Sequence, residues 1–348
     1  MKTTTTTLSF MKLAAAGAAA AMAVGISACS AAAPGTHGTG RAATATVVRQ
    51  NAGGARTQVT PAERARALTV FRAANRAGHL GNVSLSQIAS TLPSDLPQVS
   101  GNWSGYEVLS ARTGRPALSA SGTWVVPTVT PPGPGRPGYS SVWVGIGGNC
   151  LDAACHEPDH SLIQLGTSQD VSASGQAQYY AWYETLPKAE TPLPSLAIAP
   201  GDIVSAGLSA RGAATPDGQV WLLWLIVRSP SGQVQRWTKV ISYDSSLASA
   251  EWIVEGPSAV CGGHLGELPL AQYHTVAFTH LLVNGTAPSL GLPNLIIGYD
   301  PYGELSIPAP VSLLHGRTAT YFVPFLPSGA RQAQGKAACQ ATLTAAAG

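Results

Sequence analysis

The feature that most constrains the fold of this chain is a series of short β-type segments that fills residues 100–325. In these segments apolar and β-branched residues alternate with polar ones, and clusters of Gly, Pro, Asn and Asp separate them. No long helical periodicity interrupts the series, so crossover helices and a parallel sheet are not expected. Antiparallel strands in this number predict an all-β fold, an antiparallel two-sheet β-sandwich.

The spacing of apolar residues also predicts where the strands lie. The predicted strands are 123–126, 141–146, 161–165, 178–184, 203–210, 220–228, 234–243, 250–255, 275–283, 294–299 and 318–325. The tetrapeptide Ser229-Pro230-Ser231-Gly232 lies between two of them and predicts a hairpin turn.

Aromatic residues and charge both divide the chain near residue 95. All eight Trp and all ten Tyr follow that point, and large aromatic rings dominate packed cores. Residues 1–95 carry nine Lys/Arg and two acids, whereas residues 96–348 carry eleven and fifteen, within a formal net charge of +3. We therefore place the folded domain at 96–348. Its near-neutral charge excludes an ordinary nucleic-acid binder, which needs a basic surface to neutralise phosphates.

The N-terminus has the pattern of an export signal. Lys2 and Lys12 precede an apolar stretch over 13–28, which predicts a signal peptide at 1–29. The segment Ile26-Ser27-Ala28-Cys29 resembles the lipobox of bacterial lipoproteins, and ordinary signal cleavage beside these small residues is the alternative. We expect a secreted monomer, with Cys29 as a candidate lipid anchor to the outer face of the cell membrane. No second apolar run of 18 residues predicts another membrane segment.

Residues 30–95 have the composition of a leader rather than of a core. The part over 30–58 lacks periodicity and predicts a flexible segment. Thr60-Pro61-Ala62-Glu63 is typical of a helix start, so a helix is expected at 61–77, and it is rich in Arg. We interpret 30–95 as a propeptide that inhibits the acidic domain and is released in acid. The alternative is a solvated surface helix.

Cysteine usage agrees with export. Besides Cys29 the chain has four cysteines: Cys150, Cys155, Cys261 and Cys339. An even number in an oxidising compartment predicts two disulfides, and of the three pairings we favour Cys150–Cys155 with Cys261–Cys339. A rival interpretation is a zinc site formed by Cys150 and Cys155 with His156 and His160. These ligands are crowded into eleven positions, so we expect no metal.

Strand parity brings several polar residues onto common faces. Gln178, Tyr180, Trp182 and Glu184 share one face of their strand, which predicts a wet aromatic surface with a carboxylate. In the segment 250–255, Glu251 and Glu255 share a face with Ile253, opposite Trp252 and Val254. Acids are uncommon on strands, and the simplest expectation for all three glutamates is that they face solvent.

The residues themselves leave two hydrolytic chemistries and one binding function open. Glycoside hydrolysis needs two carboxyls about 5–9.5 Å apart. Glu251 and Glu255 would lie about 13 Å apart on a regular strand, which leaves Glu184 with Glu255 as the pair. Peptide hydrolysis needs one carboxylate to activate water and a donor to the oxyanion. A carbohydrate-binding sandwich that stacks sugars on Tyr180 and Trp182 is the non-enzymatic alternative.

Seven short segments, in order along the chain, resemble the glutamic peptidase (eqolisin) family of acid endopeptidases, and the candidate lipobox suggests a bacterial member. The first three are Asn102-Trp103-Ser104-Gly105, Gly122-Thr123-Trp124-Val125-Val126-Pro127 and Val142-Trp143-Val144-Gly145-Ile146. The others are Leu162-Ile163-Gln164-Leu165-Gly166, Ala181-Trp182-Tyr183-Glu184, Pro200-Gly201-Asp202 and Ala250-Glu251-Trp252-Ile253-Val254-Glu255. Each segment is weak alone, but seven in order are a strong signal over residues 100–258.

The resemblance implies a concanavalin A-like jelly roll and an acid-active endopeptidase that acts on protein and peptide substrates without a cofactor. It also implies a catalytic pair, Gln164 as oxyanion donor and Glu255 as general base and acid. Residues of the matched segments are assigned supporting and substrate-binding roles: Trp103, Trp143, Trp182 and Glu184. One departure stands out, because Gly147 occupies a position where many members of the family carry Asp. The family's cysteine before the catalytic glutamate is also absent, and Ser245, Ser246 and Ser249 occupy that stretch.

Overall fold

The computed structural model describes residues 98–215, 218–261, 264–299, 305–308 and 318–323, together with positions 61 and 65, which are helical. All of them belong to one compact unit, Thr44–Gly348. The expectations for the signal peptide at 1–29 and for nearly all of the leader at 30–95 fall outside the described residues. Within the described part, no helix has the length and hydropathy needed to cross a membrane.

Strands account for most of the described residues. In chain order they are β1 Gln98–Ser100, β2 Trp103–Leu109, β3 Ser119–Val125, β4 Val129–Thr130, β5 Gly138–Gly147, β6 Leu162–Val171, β7 Ala177–Thr185, β8 Thr191–Pro192, β9 Ile203–Thr215 and β10 Gly218–Arg228. They continue with β11 Val234–Tyr243, β12 Ser249–Glu255, β13 Ser258–Cys261, β14 His264–Glu267, β15 Gln272–Tyr273, β16 Thr275–Val283, β17 Leu295–Tyr299, β18 Leu305–Pro308 and β19 Thr318–Val323. One helical turn, α1 Ser110–Thr113, follows β2, and a 3-10 turn, Leu292–Asn294, precedes β17.

Each of the eleven predicted strands coincides with an observed one, and the predicted hairpin joins β10 to β11, where Arg228 pairs with Val234. The prediction missed β2, whose glycine, serine and glutamate interrupt the apolar alternation. It also missed short strands such as β8 and β15, since two residues carry no periodicity.

Hydrogen bonds join fifteen of the described strands into one ladder. Its order is β11-β10-β9-β3-β16-β19-β18-β17-β2-β12-β5-β6-β7-β8, with β1 beside β17. Every pairing is antiparallel except that of β1 with β17. The predicted all-β, antiparallel fold is confirmed.

The ladder packs as a two-layer sandwich. Every second side chain along the strands of one layer packs against side chains of the other layer, and together they form one apolar core. This core combines Trp124, Val204 and Leu223 from β3, β9 and β10 with Val144 and Trp252 from β5 and β12. Two indole N–H groups also cross between the layers. Trp124 Nε1 donates to Thr167 Oγ1 of β6 at 3.1 Å, and Trp252 Nε1 donates to Ser121 O of β3 at 2.8 Å.

The opposite face of the layer formed by β2, β12, β5, β6 and β7 carries a second, smaller cluster, and we call it the site face. Its apolar members are Trp103, Trp143, Leu162, Trp182, Leu186, Ile253 and Ile296, with Tyr180 packed against them. The predicted parity of β7 and β12 is confirmed, because Tyr183 and Trp252 pack on the sandwich core while Trp182 and Ile253 lie on the site face.

Candidate active site

Strand register arranges the site face in three parallel rows that cross β2, β12, β5, β6 and β7 in that order. The first row is Trp103, Glu255, Ser141, Ser168 and Tyr180. The second row is Gly105, Ile253, Trp143, Gly166 and Trp182. The third row is Glu107, Glu251, Gly145, Gln164 and Glu184. Five strands drawn from residues 103–255 therefore bring the predicted catalytic and supporting residues onto one surface.

The expectation that this face is wet was wrong. Glu184, Glu251 and Glu255 are 1%, 0% and 2% exposed, and Trp182 is fully buried. Strand parity identifies residues that share a face, but it does not reveal what covers that face. Ile296 of β17, which pairs with Gly105 in the same sheet, and Leu186 of the turn after β7 pack with these tryptophans. A carboxyl in such a place needs donors or must keep its proton.

Glu255 receives two hydrogen bonds, one from a side chain of β5 and one from the residue that precedes β2. Trp143 Nε1 donates to its Oε2 at 2.7 Å, and Asn102 Nδ2 donates to its Oε1 at 3.0 Å. Burial raises the pKa of Glu255 to about 7, although Trp143, Trp103 and Asn102 act to lower it, and the charge of Glu190 raises it further. Asn102 belongs to a recognised segment, but the sequence did not indicate its contact with Glu255.

Gln164 is held by Glu184, its direct partner on β7. The amide Nε2 donates to Glu184 Oε2 at 2.6 Å, while Gln164 Oε1 is buried and has no hydrogen-bond partner among the described residues. An amide N–H2 group has two hydrogens, so one remains available to an acceptor placed on the site face. Glu184 therefore orients the Gln164 amide.

Trp143 lies between Gln164 and Glu255, and two glycines make room for it. A Cβ on Gly166 would approach Val142 O to 2.2 Å and Trp143 Cβ to 2.6 Å, and one on Gly145 would meet the Trp143 ring at 2.9 Å. Trp103 packs edge-to-face on Trp143 with ring centroids 5.0 Å apart. The aromatic positions assigned supporting roles thus surround Glu255.

Gln164 and Glu255 share the site face, but they do not bond to each other. They are two strands and two rows apart, and each has its own partner, Glu184 for Gln164 and Trp143 for Glu255. Trp143 of β5 occupies the position between them and bonds to Glu255.

A second pair of acids lies in the third row, and sequence reasoning missed half of it. Glu107 on β2 pairs directly with Glu251 on β12, and both are fully buried. Glu107 accepts hydrogen bonds from Gln98 Nε2 and Asn149 Nδ2, whereas neither carboxyl oxygen of Glu251 has a partner among the described residues. Burial, followed by the charges of Glu107 and Asp159, raises the pKa of Glu251 well above its usual value, and Ser249 lowers it. The apolar neighbours Tyr106 and Val108 on either side of Glu107 are too short a pattern to have indicated its burial.

The carboxylate of Asp159 occupies the place left by the missing acid at Gly147. A Cβ on Gly147 would come within 3.1 Å of Asp159 Oδ2 and within 2.4 Å of Ser161 O, and its φ of +86° also disfavours a side chain. Asp159 Oδ2 accepts the Gly148 N–H at 3.1 Å and the hydroxyl of Ser246. An acid from the β5–β6 loop therefore lies beside the backbone of Gly147.

The cysteines nearest the site are paired as favoured. Cys150 and Cys155 form a disulfide with Cα atoms 5.0 Å apart, so their sulfurs are not zinc ligands. The described residues contain no group of three or more His, Cys, Asp or Glu that could hold a metal ion. Cys339 lies outside the described residues, and the pairing Cys261–Cys339 stays a prediction.

The site face offers little to the two carbohydrate alternatives. Trp182 is buried beneath its neighbours, so it presents no open ring on which a sugar could stack. Glu184 and Glu255 are three strands and two rows apart, and Glu184 is bonded to Gln164.

Comparison with known proteins gives one family and two solved structures. The model of the Peptidase A4 family matches residues 101–297, more than half of the chain. Scytalido-glutamic peptidase, solved with a transition state analog inhibitor, is 21% identical with a TM-score of 0.46, over 64% of this chain and 98% of that one. The alginate lyase Aly36B, solved with an alginate trisaccharide, is 13% identical with a TM-score of 0.27, over 53% and 72%. No curated protein sequence matches this chain.

Proposed function

Because the chain belongs to the Peptidase A4 family and is a glutamic-type endopeptidase, we propose that Gln164 and Glu255 form its catalytic pair. One observation carries this proposal: a buried glutamate and a buried glutamine share the site face, and each is held by its own fixed partner. Preorganised groups of this kind lower a reaction barrier because they need no reorganisation as charge develops.

The chemistry follows from the hydrogen-bonding capacity of each group. Ionised Glu255 removes a proton from a water molecule, whose oxygen attacks the scissile carbonyl carbon. The carbonyl oxygen becomes an oxyanion and accepts the second amide hydrogen of Gln164, while Glu184 retains the first. As the C–N bond breaks, Glu255 gives its proton to the leaving nitrogen. A neutral amide partner spares Glu255 the repulsion that a second carboxylate would impose.

The environment of Glu255 also sets the pH dependence that we propose. Its pKa of about 7 means that the ionised base is scarce in acid and increases as the pH rises. kcat/KM should therefore increase through an acid limb governed by Glu255, with an optimum nearer to neutral than the family resemblance implies. A substrate that lowers the pKa of Glu255 would extend activity into acid, as expected of an acid-active enzyme.

The catalytic pair is tested with two substitutions and two matched controls. Gln164→Ala should lower kcat by about 100- to 1000-fold on a denatured protein substrate, since it removes an oxyanion donor. Glu255→Gln keeps the shape of the side chain and should lower kcat by about 100- to 10,000-fold. The exposed Gln178 and Glu157, changed to Ala and Gln, are the controls. Full cleavage by folded Gln164→Ala or Glu255→Gln protein would refute the pair, and sugar release that survives Gln164→Ala would favour a glycosidase.

We further propose that the enzyme is exported as a monomer and that its basic leader inhibits it until acid releases the leader. The charge difference between 1–95 and 96–348 supports this proposal. Adding the isolated 30–95 segment to the mature enzyme should inhibit it at neutral pH and not in acid. The intact mass of the exported protein reports the cleavage site and whether Cys29 is lipidated. Inhibition that does not depend on pH would contradict the release mechanism.

A further inference from the structure

We propose that the sheet face on the far side of the sandwich from the site face docks on a membrane surface that contains anionic phospholipids. This face belongs to the layer whose strands include β3, β9, β10, β11 and β16, and we call it the outer face. Alternate residues of these strands pack into the sandwich core, and the residues between them form the outer face. The inference does not depend on the proposed catalytic pair, because it concerns a different surface and a different ligand.

Strand β10 is apolar on both of its sides. Every residue over 220–227 is apolar, and the odd-numbered ones are fully buried in the core. The even-numbered residues, Val220, Leu222, Trp224 and Ile226, lie on the outer face and are only half-buried. A strand with a continuous apolar run is normally covered on both sides. In the described part of the chain, the outer side of β10 keeps part of its exposure, so this face is suited to a further partner.

Exposed aliphatic side chains on the neighbouring strands extend this apolar line. Strand register places Val240 of β11 beside Leu222, and Val125 of β3 beside Ile203 of β9. Val125, Ile203 and Val240 are 46%, 44% and 63% exposed. Together with Leu282 of β16, they are four of the six exposed large hydrophobic residues in the described chain. Exposed apolar residues that gather on one face indicate an interaction surface.

A glycine holds the indole of Trp224 against the surface of this sheet. Gly207 of β9 pairs directly with Trp224, and a Cβ on Gly207 would meet the ring atoms Cζ2 and Cε2 at 2.7 and 2.8 Å. The ring therefore lies across the backbone of β9 and adds to the apolar surface. Of the eight tryptophans, Trp224 and Trp237 are half-buried and the others are buried, and Trp237 packs on the sandwich core. Tryptophan is favoured where an apolar phase meets water.

The outer face carries charge of one sign. The strands β3, β9, β10, β11 and β16 contain no Asp or Glu, and Arg211, Arg228 and Arg236 are exposed around the apolar line of β10. Asp202, just before β9, is buried and accepts a backbone N–H at 2.8 Å, and Asp244 follows the end of β11. A guanidinium group binds phosphate through two parallel hydrogen bonds. The outer face therefore complements an apolar surface that carries phosphate groups.

The same charge makes other occupants unsuitable. Residues 1–95 carry nine Lys/Arg and two acids, and residues 324–348 carry two Lys/Arg and no acid, so both ends of the chain share the sign of the outer face. A second copy of the chain would bring three more arginines against the first three. An anionic phospholipid surface supplies both complements, acyl chains for the aliphatic side chains and phosphates for the arginines around them. Docking in this way leaves the site face directed away from the membrane.

The charge is tested by sedimentation with sucrose-loaded vesicles. Every protein is the exported chain with Cys29→Ser, so that no acyl chain can attach there, and the basic leader is the same in all of them. The protein should bind vesicles of equal parts phosphatidylglycerol and phosphatidylcholine, and bind phosphatidylcholine alone much more weakly. Arg211→Gln, Arg228→Gln and Arg236→Gln should each lower the partition coefficient by about fivefold, the effect of one basic residue near an anionic membrane. Arg115→Gln, at an exposed arginine between α1 and β3, is the matched control and should leave it unchanged.

The apolar contact is tested with exposed residues, so that folding is little affected. Ile203→Ser and Val240→Ser should each lower the partition coefficient by about fivefold, while Leu151→Ser, at an exposed leucine of the β5–β6 loop, should not. The midpoint of urea unfolding of each variant checks that it is folded. Phospholipids with brominated acyl chains, which quench tryptophan on contact, give a second readout. They should quench the wild type, and Trp224→Phe should lose most of this quenching while still sedimenting with the vesicles.

Several results would overturn the proposal. Equal binding to both kinds of vesicle, no binding to either, or binding that the arginine and aliphatic substitutions leave unchanged would each do so. A dimer in sedimentation velocity that Val240→Ser abolishes would assign the outer face to a second copy of the chain. Binding to dextran sulfate without binding to vesicles would assign it to an anionic polymer. Cleavage of a soluble peptide is a separate measurement, and none of these results bears on the catalytic pair.

Discussion

Replacing Glu251 by Gln should make the stability of the folded domain less dependent on pH. Glu251 is fully buried opposite Glu107, and its carboxyl oxygens have no hydrogen-bond partner among the described residues. Glu107 accepts from two amide donors, as a carboxylate does, and burial raises the pKa of Glu251, so we expect the proton of the pair on Glu251. A glutamine side chain at this position has nearly the same shape as a protonated glutamate and no ionisable proton.

The sign follows from a pKa that is higher in the folded state. In the unfolded chain Glu251 ionises near its ordinary value of 4.5, whereas in the folded state burial keeps the proton bound. Between these two pKa values the unfolded state has lost a proton that the folded state keeps, so stability falls as the pH rises. Below the unfolded pKa the contribution is fully present.

The magnitude is set by one proton. Each pH unit within that window lowers the free energy of unfolding by about 1.4 kcal/mol. Glu255, with a pKa of about 7, adds a similar slope in both proteins. The wild type should therefore lose stability at about twice the rate of Glu251→Gln.

Urea unfolding, followed by tryptophan fluorescence at a series of pH values from 5 to 7, measures the two slopes. The slope is the quantity to compare, because the Gln amide can alter the stability at any single pH by leaving a buried donor unbonded. Glu157→Gln, an exposed carboxylate, is the control and should retain the wild-type slope. Identical slopes for the wild type and Glu251→Gln would refute the assignment of the proton to Glu251.

Three further predictions concern the supports of the site. Trp143→Phe removes the indole donor to Glu255 and so raises the pKa of that carboxyl. The acid limb of the pH profile of kcat/KM should therefore move to higher pH by about one unit. An unchanged limb would contradict the role of Trp143. Gly166→Ala places a Cβ against the Val142 carbonyl and should lower the free energy of unfolding in urea by about 3 kcal/mol. Gly175→Ala is the control: its Cβ meets no neighbour, so only the strain of its positive φ remains and the loss should be smaller. The double variant Cys150→Ser, Cys155→Ser opens the short loop that the disulfide closes and should lower the free energy of unfolding by about 2 kcal/mol. An unchanged free energy of unfolding would count against the disulfide.

Much of the fold could be predicted from the sequence because β-strands have a local signature. Alternation with a period of two identified β5, β7, β10 and β12 and showed which of their residues share a face. The same alternation could not find β2, in which polar and small residues face a covered surface. It also could not predict that Glu184, Glu251 and Glu255 are buried, since burial of the site face depends on residues distant in sequence.

The motif residues were recognisable in the sequence, but their partners were not. Gln164 and Glu255 could be named from short segments, and the pairing of Cys150 with Cys155 from a short loop. The contacts of Asn102 with Glu255, of Glu184 with Gln164 and of Tyr180 with Glu190 depend on strand register. Register between β12 and β5 is a long-range property, because about a hundred residues separate these strands in the chain.

The amino-acid sequence by itself determined that this chain forms antiparallel strands and which side chains each strand turns to the same side, because both depend on the local geometry of an extended backbone. Only the tertiary structure decided that the acids of the site face are buried, that the pKa of Glu251 is raised beside Glu107, and that Asp159 lies beside Gly147, which has no side chain. These are effects of desolvation and of charges brought together across strands, and neither exists until residues far apart in the chain are packed against one another.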